Sequence, residues 1–345
     1  MHPFEQKLAA SWPPSAWQDV TVLLAVSGGA DSVALLRGMA VLGLQGSGAQ
    51  GLGRLVVAHY DHALREQAAA DGAFVEDLGR KLSLATVCGR AAPGEVAAAA
   101  RDGLENAARA ARYAFLEQSA GELGARYVCT AHTADDQAET ILHRIVRGTG
   151  LEGLAGMARL RPLGPAATLV RPLLAFRRAE VRDYLADLGQ ACREDETNDD
   201  LRFTRNRIRR DLLPRLAGEF NAGVTDALLR LGTIAADVQH VLKDEVERLA
   251  ARAVKPWQAG TVELDCRILS QARRHLVREL FADQWRRQGW PLVDMSFDHW
   301  NDLAELAQHD TSATRVLPGN IRAARRGDWV VLCRQADGRP SERSS

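Results

Sequence analysis

Residues 20–26 (VTVLLAV) are short, β-branched and apolar without alternation, the pattern of a strand buried on both faces of a parallel sheet. Residues 32–42 then carry apolar positions compatible with a helix, and residues 54–59 (RLVVAH) repeat the strand pattern. The succession continues with a polar helix over 66–82, a strand near 83–88, a helix over 102–122, a strand over 126–131 and a helix over 134–147. Regular alternation predicts an α/β fold with a doubly wound parallel sheet, whose ligands lie beyond the carboxyl ends of the strands. After residue 150 the pattern loosens. Gly148, Gly150, Gly153 and Gly156 mark loops, and a strand near 168–172 and a helix near 176–189 complete the first unit. Residues 195–210 are very polar, and LAGEFNAGVTD at 216–226 reads as a linker. Helices near 225–252, 268–288 and 297–308, with short strands near 313–317 and 328–333, predict a second, smaller, mostly helical domain. The expected organisation is an N-terminal extension (1–18), a catalytic domain (19–216), a linker (217–226), a smaller domain (227–334) and a disordered tail (335–345).

Composition sharpens this picture in a few places. The chain has 345 residues, 46% of them hydrophobic, enough for two separate cores. Lys+Arg and Asp+Glu each total 44, so only local clusters of charge can point to a partner. Lysine occurs only at Lys7, Lys81, Lys243 and Lys255; the other cationic side chains are Arg, whose planar fork suits phosphate. Cys88, Cys129, Cys192, Cys266 and Cys333 are widely spaced, with no C-x-x-C pair. That argues against a disulfide framework or a cysteine-held metal, and predicts buried, reduced thiols. No run approaches the ~18 apolar residues of a membrane span, and the start MHPFEQKLAASWPP lacks the pattern of a secretory signal. A cytoplasmic protein without membrane contact is expected.

The candidate chemistry begins where the first strand ends. Ser27-Gly28-Gly29-Ala30-Asp31-Ser32 lies between strand and helix. Glycines there can take φ > 0 and bring backbone N–H groups close to an anion, and the helix start adds free N–H groups and its positive dipole end. The two serines add hydroxyls. This is a nest for a phosphate chain, without the G-K-[ST] ending of the Walker loop. Asp31 repels phosphate unless a cation stands between them, so Mg²⁺ against pyrophosphate is expected, with Asp31 as its ligand. The second strand runs into AHYDHALRE, which puts His59, Asp61, His62 and Arg65 near the sheet's carboxyl edge. In GLENAARAARYAFL, Glu105, Arg109 and Arg112 share one helix face, either ion-paired or clamping phosphate.

In CTAHTADDQAETILHRIVRGTG, Asp135, Asp136 and Glu139 fall in the first turns of a helix beside His132, with Ala138, Ile141, Leu142 and Ile145 as its buried stripe. Capping explains one or two of these acids; three suggest a site. The spacing is wrong for zinc. Between Arg202 and Arg215 there are six Arg and one acid, Asp211, with Phe203 among them. This basic segment is expected to contact RNA backbone through Arg205, Asn206, Arg207 and Arg209.

SGGADS after an apolar strand is similar to the loop of the N-type ATP pyrophosphatases, the PP-loop superfamily, which cleave ATP between the α- and β-phosphates. LLAVSGGADS, HYDHALRE, LENAARAARYAFL, AHTADDQAETILHRIVRGTGLEGLAGM and RPLLAFRRAEVRDYL…EDETNDDLRFTRNRIRRDLLPRL together resemble the tRNA(Ile)-lysidine synthetase family, in its order, over most of residues 20–216. The GTGLEGLAGM and TN…RNRIR stretches are the selective ones. Ala63, Gln67 and Glu196 stand where the family usually has Gly, Ser and Pro. RVLPGNIRAARRGDWVVL resembles the end of the family's middle domain, and a short form without a further C-terminal domain is expected.

The resemblance implies an adenine nucleotide alpha hydrolase-like fold, ATP and Mg²⁺ as cofactors, and free L-lysine and tRNA(Ile) with a CAU anticodon as partners. It implies a ligase that adenylates the C2 oxygen of the wobble cytidine and lets the lysine ε-amine displace AMP. Ser27, Gly28, Gly29, Ala30, Asp31, Ser32, His62 and Arg112 are then expected to bind ATP, with Asp31, His132, Asp135, Asp136 and Glu139 serving the chemistry. An ε-amine of pKa ~10.4 is neutral in about one molecule in 2500 at pH 7, so a base or a pKa-lowering site is needed. Asp136 is the first choice for placing lysine. Three rivals stand beside this reading: a PP-loop tRNA thiolase, which carries paired catalytic or cluster-binding cysteines; an amide-forming synthetase, which the Arg-rich segment disfavours; and a non-catalytic nucleotide sensor, which need not keep the acids. A homodimer is one candidate assembly, and a tRNA-binding role for the smaller domain rests on resemblance alone.

Overall fold

The computed structural model describes residues 1–46, 53–63, 68–92, 94–98, 103–193, 204–309 and 313–335. They belong to two compact units, Met1–Ala235 and Ala236–Ser345. The first is built on six strands: β1 (Thr21–Ala25), β2 (Leu55–Asp61), β3 (Ala85–Arg90), β4 (Ala125–Cys129), β5 (Leu160–Leu163) and β6 (Ala167–Val170), ordered β3-β2-β1-β4-β6-β5. All neighbours pair parallel except β5 and β6. The order reverses at β1, so the carboxyl ends of β1 and β4 flank the crevice where open α/β sheets bind ligands.

The helices of this unit are α1 (Pro3–Ser11), α2 (Ala30–Gly46), α3 (Ala68–Lys81), α4 (Glu95–Ala98), α5 (Leu104–Leu123), α6 (Ala134–Val146), α7 (Leu151–Leu154), α8 (Arg178–Asp187), α9 (Thr204–Arg207) and α10 (Leu213–Arg215). Period-two geometry explains the continuous apolar run of β1. Val22 and Leu24 enter the core that includes Leu35, Leu36 and Tyr184. Leu23 enters the opposite one, with Leu116, Val128 and Leu169. The N-terminal extension joins the first core. Phe4 and Leu8 are buried, Phe4 stacks on Tyr184 at 4.2 Å, and the Tyr184 hydroxyl donates to Glu5 Oε1 at 3.0 Å. A residue larger than Gly38 would meet Leu8, its Cβ standing 2.7 Å from Leu8 Cδ2.

Strand β5 is absent from the sequence reading because LRPL contains Arg161 and Pro162. Proline is tolerated there because β5 is an edge strand, paired only with β6. Two π-helical turns, Ile208–Leu212 and Leu216–Phe220, flank α10, and α11 (Val224–Ala253) follows. Residues 216–220, expected to begin a linker, are therefore helical, and the compact units divide within α11. Ala138, Ile141 and Leu142 of α6 pack against Ile208 and Leu228. Ile145, expected in that stripe, is exposed and lies outside this cluster.

The second unit carries an antiparallel sheet of β7 (Thr261–Asp265), β8 (Thr314–Leu317), β9 (Ile321–Arg326) and β10 (Trp329–Arg334), ordered β7-β10-β9-β8. Helices α12 (Cys266–Leu269), α13 (Arg274–Arg287) and α14 (Phe297–Gln308) accompany it. Strands β7 and β9 escaped the sequence reading. On β9, Ile321 and Ala323 are buried while Arg322 faces water, so half of a two-sided strand reads as polar. The helix expected over 268–288 is broken, with Asp265 capping α12 and a turn separating it from α13. Trp285, fully buried, meets Trp290 and Trp300 edge-on at 4.9 and 5.5 Å. All five cysteines are free; Cys129 and Cys266 are buried as expected, but Cys88 is exposed, on the outermost strand of the parallel sheet. No helix among the described residues is long and apolar enough to cross a membrane.

Candidate active site

The glycine loop leaves β1 at the switch point and turns directly into α2. Gly28 has φ +92°, a left-handed conformation that a side chain resists, and its carbonyl accepts from Arg193 N at 2.9 Å. Ser32 Oγ donates to the Gly29 carbonyl at 2.8 Å and accepts from Ser27 N at 3.2 Å, which closes the loop on itself. Asp31 lies in the first turn of α2. Burial first, and then Asp136, raise its carboxyl to about 6, against the pull of Arg178 and Arg209. A cation would offset the cost of ionising this buried carboxylate, and a carboxylate beside a loop of free N–H groups fits Mg²⁺, which takes one or two carboxylates together with phosphate oxygens. Among the described residues, no group of three or more His, Cys, Asp or Glu is gathered for a metal.

Beside this loop, β2 ends in a second polar cluster. His59 Nδ1 donates to the Val26 carbonyl at 2.9 Å, which ties β2 to the root of the glycine loop. Asp61 accepts from Ala63 N at 2.7 Å and pairs with Arg90 at 3.1 Å. Ala63 has φ +53°, a left-handed conformation that favours glycine. His62 packs edge-on against Tyr60 at 5.0 Å. Arg65 lies outside the described residues, as do Arg202, Phe203 and the side chain of Glu105.

Across the switch point, β4 leads through His132 and Thr133 into α6. Thr133 caps the helix, and Asp136 Oδ2 accepts from Thr133 N at 2.8 Å and from its hydroxyl at 3.0 Å. The other oxygen of Asp136 accepts from Arg178 Nη2, from Arg205 Nη2 at 3.2 Å and from Arg209 Nη2 at 3.3 Å. Glu139, 1% exposed, accepts from Arg178 Nη1 at 2.6 Å, Arg209 Nε at 2.7 Å and Arg205 Nε at 3.3 Å. Burial opposes ionisation of Asp136, but Arg178 and Arg205 outweigh it and hold the carboxyl at about 2. Arg178 is raised in turn, since Asp136 and Glu139 more than offset its own burial.

Arg178 also stands 4.0 Å from Asp31, and its backbone N–H donates to Asp135 at 2.8 Å. One side chain thus links the glycine loop to the acids. Sequence reasoning missed it, although its signal was there: RRAE opens α8 at the right point in the chain. The structure turns Arg205 and Arg209, expected to face RNA, onto Asp136 and Glu139, because two buried carboxylates demand countercharge. Arg207 bonds Thr204 Oγ1 at 3.2 Å instead.

A cavity of about 220 Å³ opens beside the cluster, lined by Asp135, Glu139, Arg178, Arg209, Leu213 and Pro214 among others. Asp136, the first choice for placing lysine, is not among the residues that line this cavity. His132 Nδ1 lies 3.0 Å from Thr130 Oγ1. Burial, aided by Arg171, Arg205 and Arg112, lowers its pKa to about 3 against the attraction of Asp136, so it is neutral at pH 7. Arg112 sits with Arg109 beside Tyr113.

Residues 2–216 match the PP-loop domain family. Over 325 residues the chain is 38% identical to a tRNA(Ile)-lysidine synthase of Geobacter sulfurreducens, covering 93% of this chain and 66% of that protein. Over 339 residues it is 34% identical to a tRNA(Ile)-lysidine synthase of Rhodopirellula baltica, covering 88% of this chain and 84% of that one. The chain therefore spans just under two thirds of the first relative and most of the second. A solved U34-tRNA thiolase from Methanococcus maripaludis, carrying a 4Fe–4S cluster, shares the fold alone: TM-score 0.53 and 12% identity, covering 68% of this chain and 78% of that one. The chain belongs to the tRNA(Ile)-lysidine synthase family of PP-loop ATP-dependent enzymes.

Proposed function

We propose that this protein converts the wobble cytidine of CAU-anticodon tRNA(Ile) to lysidine, using ATP, Mg²⁺ and free L-lysine. The observation that carries the reading is Arg178, which stands between Asp31 of the glycine loop and the pair Asp136 and Glu139. Such a bridge supports reading the glycine loop as a triphosphate nest and the neighbouring acids as a cation-binding cluster of the same crevice. In the first step the cytosine C2 oxygen attacks the α-phosphorus and the bond to the β-phosphate breaks. The backbone N–H groups of Gly28–Ser32 receive charge on the departing pyrophosphate. Asp31, in the first turn of α2, would hold Mg²⁺, which would supply further charge neutralisation there. In the second step a carboxylate base takes a proton from the lysine ammonium, the freed ε-amine bonds to C2, the C2–O bond breaks and AMP leaves.

The cavity beside Glu139 suits that amino acid: Leu213 and Pro214 offer apolar walls to a four-carbon stem, while Asp135 and Glu139 offer carboxylates to an ammonium. Asp135, with its weaker burial, is the better candidate for base, and Glu139 for binding. A thiolase is disfavoured, since no cysteine falls in a gathered set of potential ligands among the described residues. The test is to incubate the protein with Mg²⁺-ATP, radiolabelled lysine and an unmodified CAU-anticodon tRNA(Ile) transcript. Label should enter the RNA with one AMP released per lysine. Absence of label, or equal labelling of a tRNA with another anticodon, would overturn the proposal.

A further inference from the structure

Arg109 and Arg112 of α5 and Arg161 of β5 converge on the ring of Tyr113, and Arg171, just beyond β6, interacts electrostatically with that tyrosine. The guanidinium carbons of Arg109, Arg112 and Arg161 lie 5.1, 5.7 and 4.8 Å from its centroid. No carboxylate forms an ion pair with any of the four among the described residues, unlike Arg178, Arg205 and Arg209 next door. Arg171 is 3% exposed, and the Nε atoms of both Arg171 and Arg112 are buried without a hydrogen-bond partner. Burial lowers the pKa of both, so the fold carries this charge at a cost that an anion would relieve. Arg109, Arg112 and Arg161 are only partly buried and remain within reach of a ligand.

We infer that this arginine cluster is a subsite for a backbone phosphate of the RNA substrate, next to the reacting nucleotide. The inference rests on the proposed function and adds to it where the RNA is held. Sheet order separates this anion from the triphosphate. Arg171 follows β6, two strands from β1, roughly 10 Å at ~4.8 Å per strand, whereas the glycine loop anchors phosphate at β1. His132 lies between the two positions, at the end of β4. Arg112 then serves the RNA in place of the nucleotide role expected from the sequence.

The test uses the full chain and an anticodon stem-loop RNA with a CAU loop. Arg109→Gln and Arg161→Gln should each weaken RNA binding about five- to tenfold while leaving ATP affinity unchanged. The double variant should flatten the log–log salt dependence by about 1.4, that is ~0.7 per lost contact to a single strand. Arg→Lys at the same positions should keep most of that slope. In the wild type, replacing loop phosphates one at a time by methylphosphonate should reveal one or two that matter, and these should lose their effect in the double variant. Weaker ATP binding with unchanged RNA binding would overturn the inference. So would a wild-type scan in which no single phosphate matters, however the variants fold. If wild-type protein fails to bind the RNA at all, the proposed function falls with it; if it binds and the variants bind equally well, only the subsite falls.

Discussion

Arg209 Nε lies 2.7 Å from Glu139 Oε1, so the carboxylate proposed to receive lysine's ammonium already holds a guanidinium of the same chain. Lysine must share or displace this contact. Arg209→Ala should lower the melting temperature, because a 1% exposed carboxylate loses one of three partners, at roughly 1–3 kcal/mol. Millimolar L-lysine should restore part of that loss in the variant and raise the wild type much less. Equal thermal shifts in the two proteins would remove Glu139 as the ammonium site.

Asp31 trades stability for function. Its carboxyl, raised from 3.8 to about 6, favours the protonated folded state, so its contribution is complete below about pH 4 and is lost as pH rises through 6. In EDTA, Asp31→Asn should therefore be more stable than wild type at pH 7.5 by about 1–2 kcal/mol, after discounting for partial exposure, and no different at pH 4. The same variant should release no AMP. Denaturant midpoints at the two pH values, with a nucleotide assay, check both halves.

His132 should show the opposite slope. Its folded pKa of about 3 lies below the ordinary 6.5, so the neutral ring stabilises the fold above pH 6.5 and that contribution drains away as pH falls towards 3. His132→Gln should flatten the acid limb of the stability profile, by on the order of 1–3 kcal/mol between pH 7 and pH 4. An unchanged limb would mean that folding leaves the imidazole's titration unshifted.

Gly28→Ala should strain the loop twice over. The backbone sits at φ +92°, and an added Cβ would lie 3.3 Å from Arg193 Cγ and 3.5 Å from Phe74 Cδ1. A stability loss of about 1–2 kcal/mol is expected, with ATP affinity reduced at least tenfold because the amide nest is re-aimed. Calorimetric titration of ATP decides it: a variant that binds nucleotide normally would show that the nest lies elsewhere.

Local chemistry made much of this protein legible in its sequence. The buried run of β1, the glycines after it and the capped acids of α6 each act over a few neighbouring residues, so their spacing alone places them at strand ends and helix starts. Strands β5, β7 and β9 were hidden because an edge strand, or one facing water on one side, lacks the continuous apolar signal. Charge pairing was hidden more deeply. Arg205 and Arg209 look like a solvated basic face in the sequence, while Arg109, Arg112, Arg161 and Arg171 are scattered over 63 positions. Only the folded chain shows that the first pair neutralises Asp136 and Glu139 and that, among the described residues, no carboxylate pairs with the second set. The reason is physical: periodicity and capping depend on backbone geometry a few residues long, whereas the partner of a buried charge is decided by which distant segments the sheet brings to the same edge.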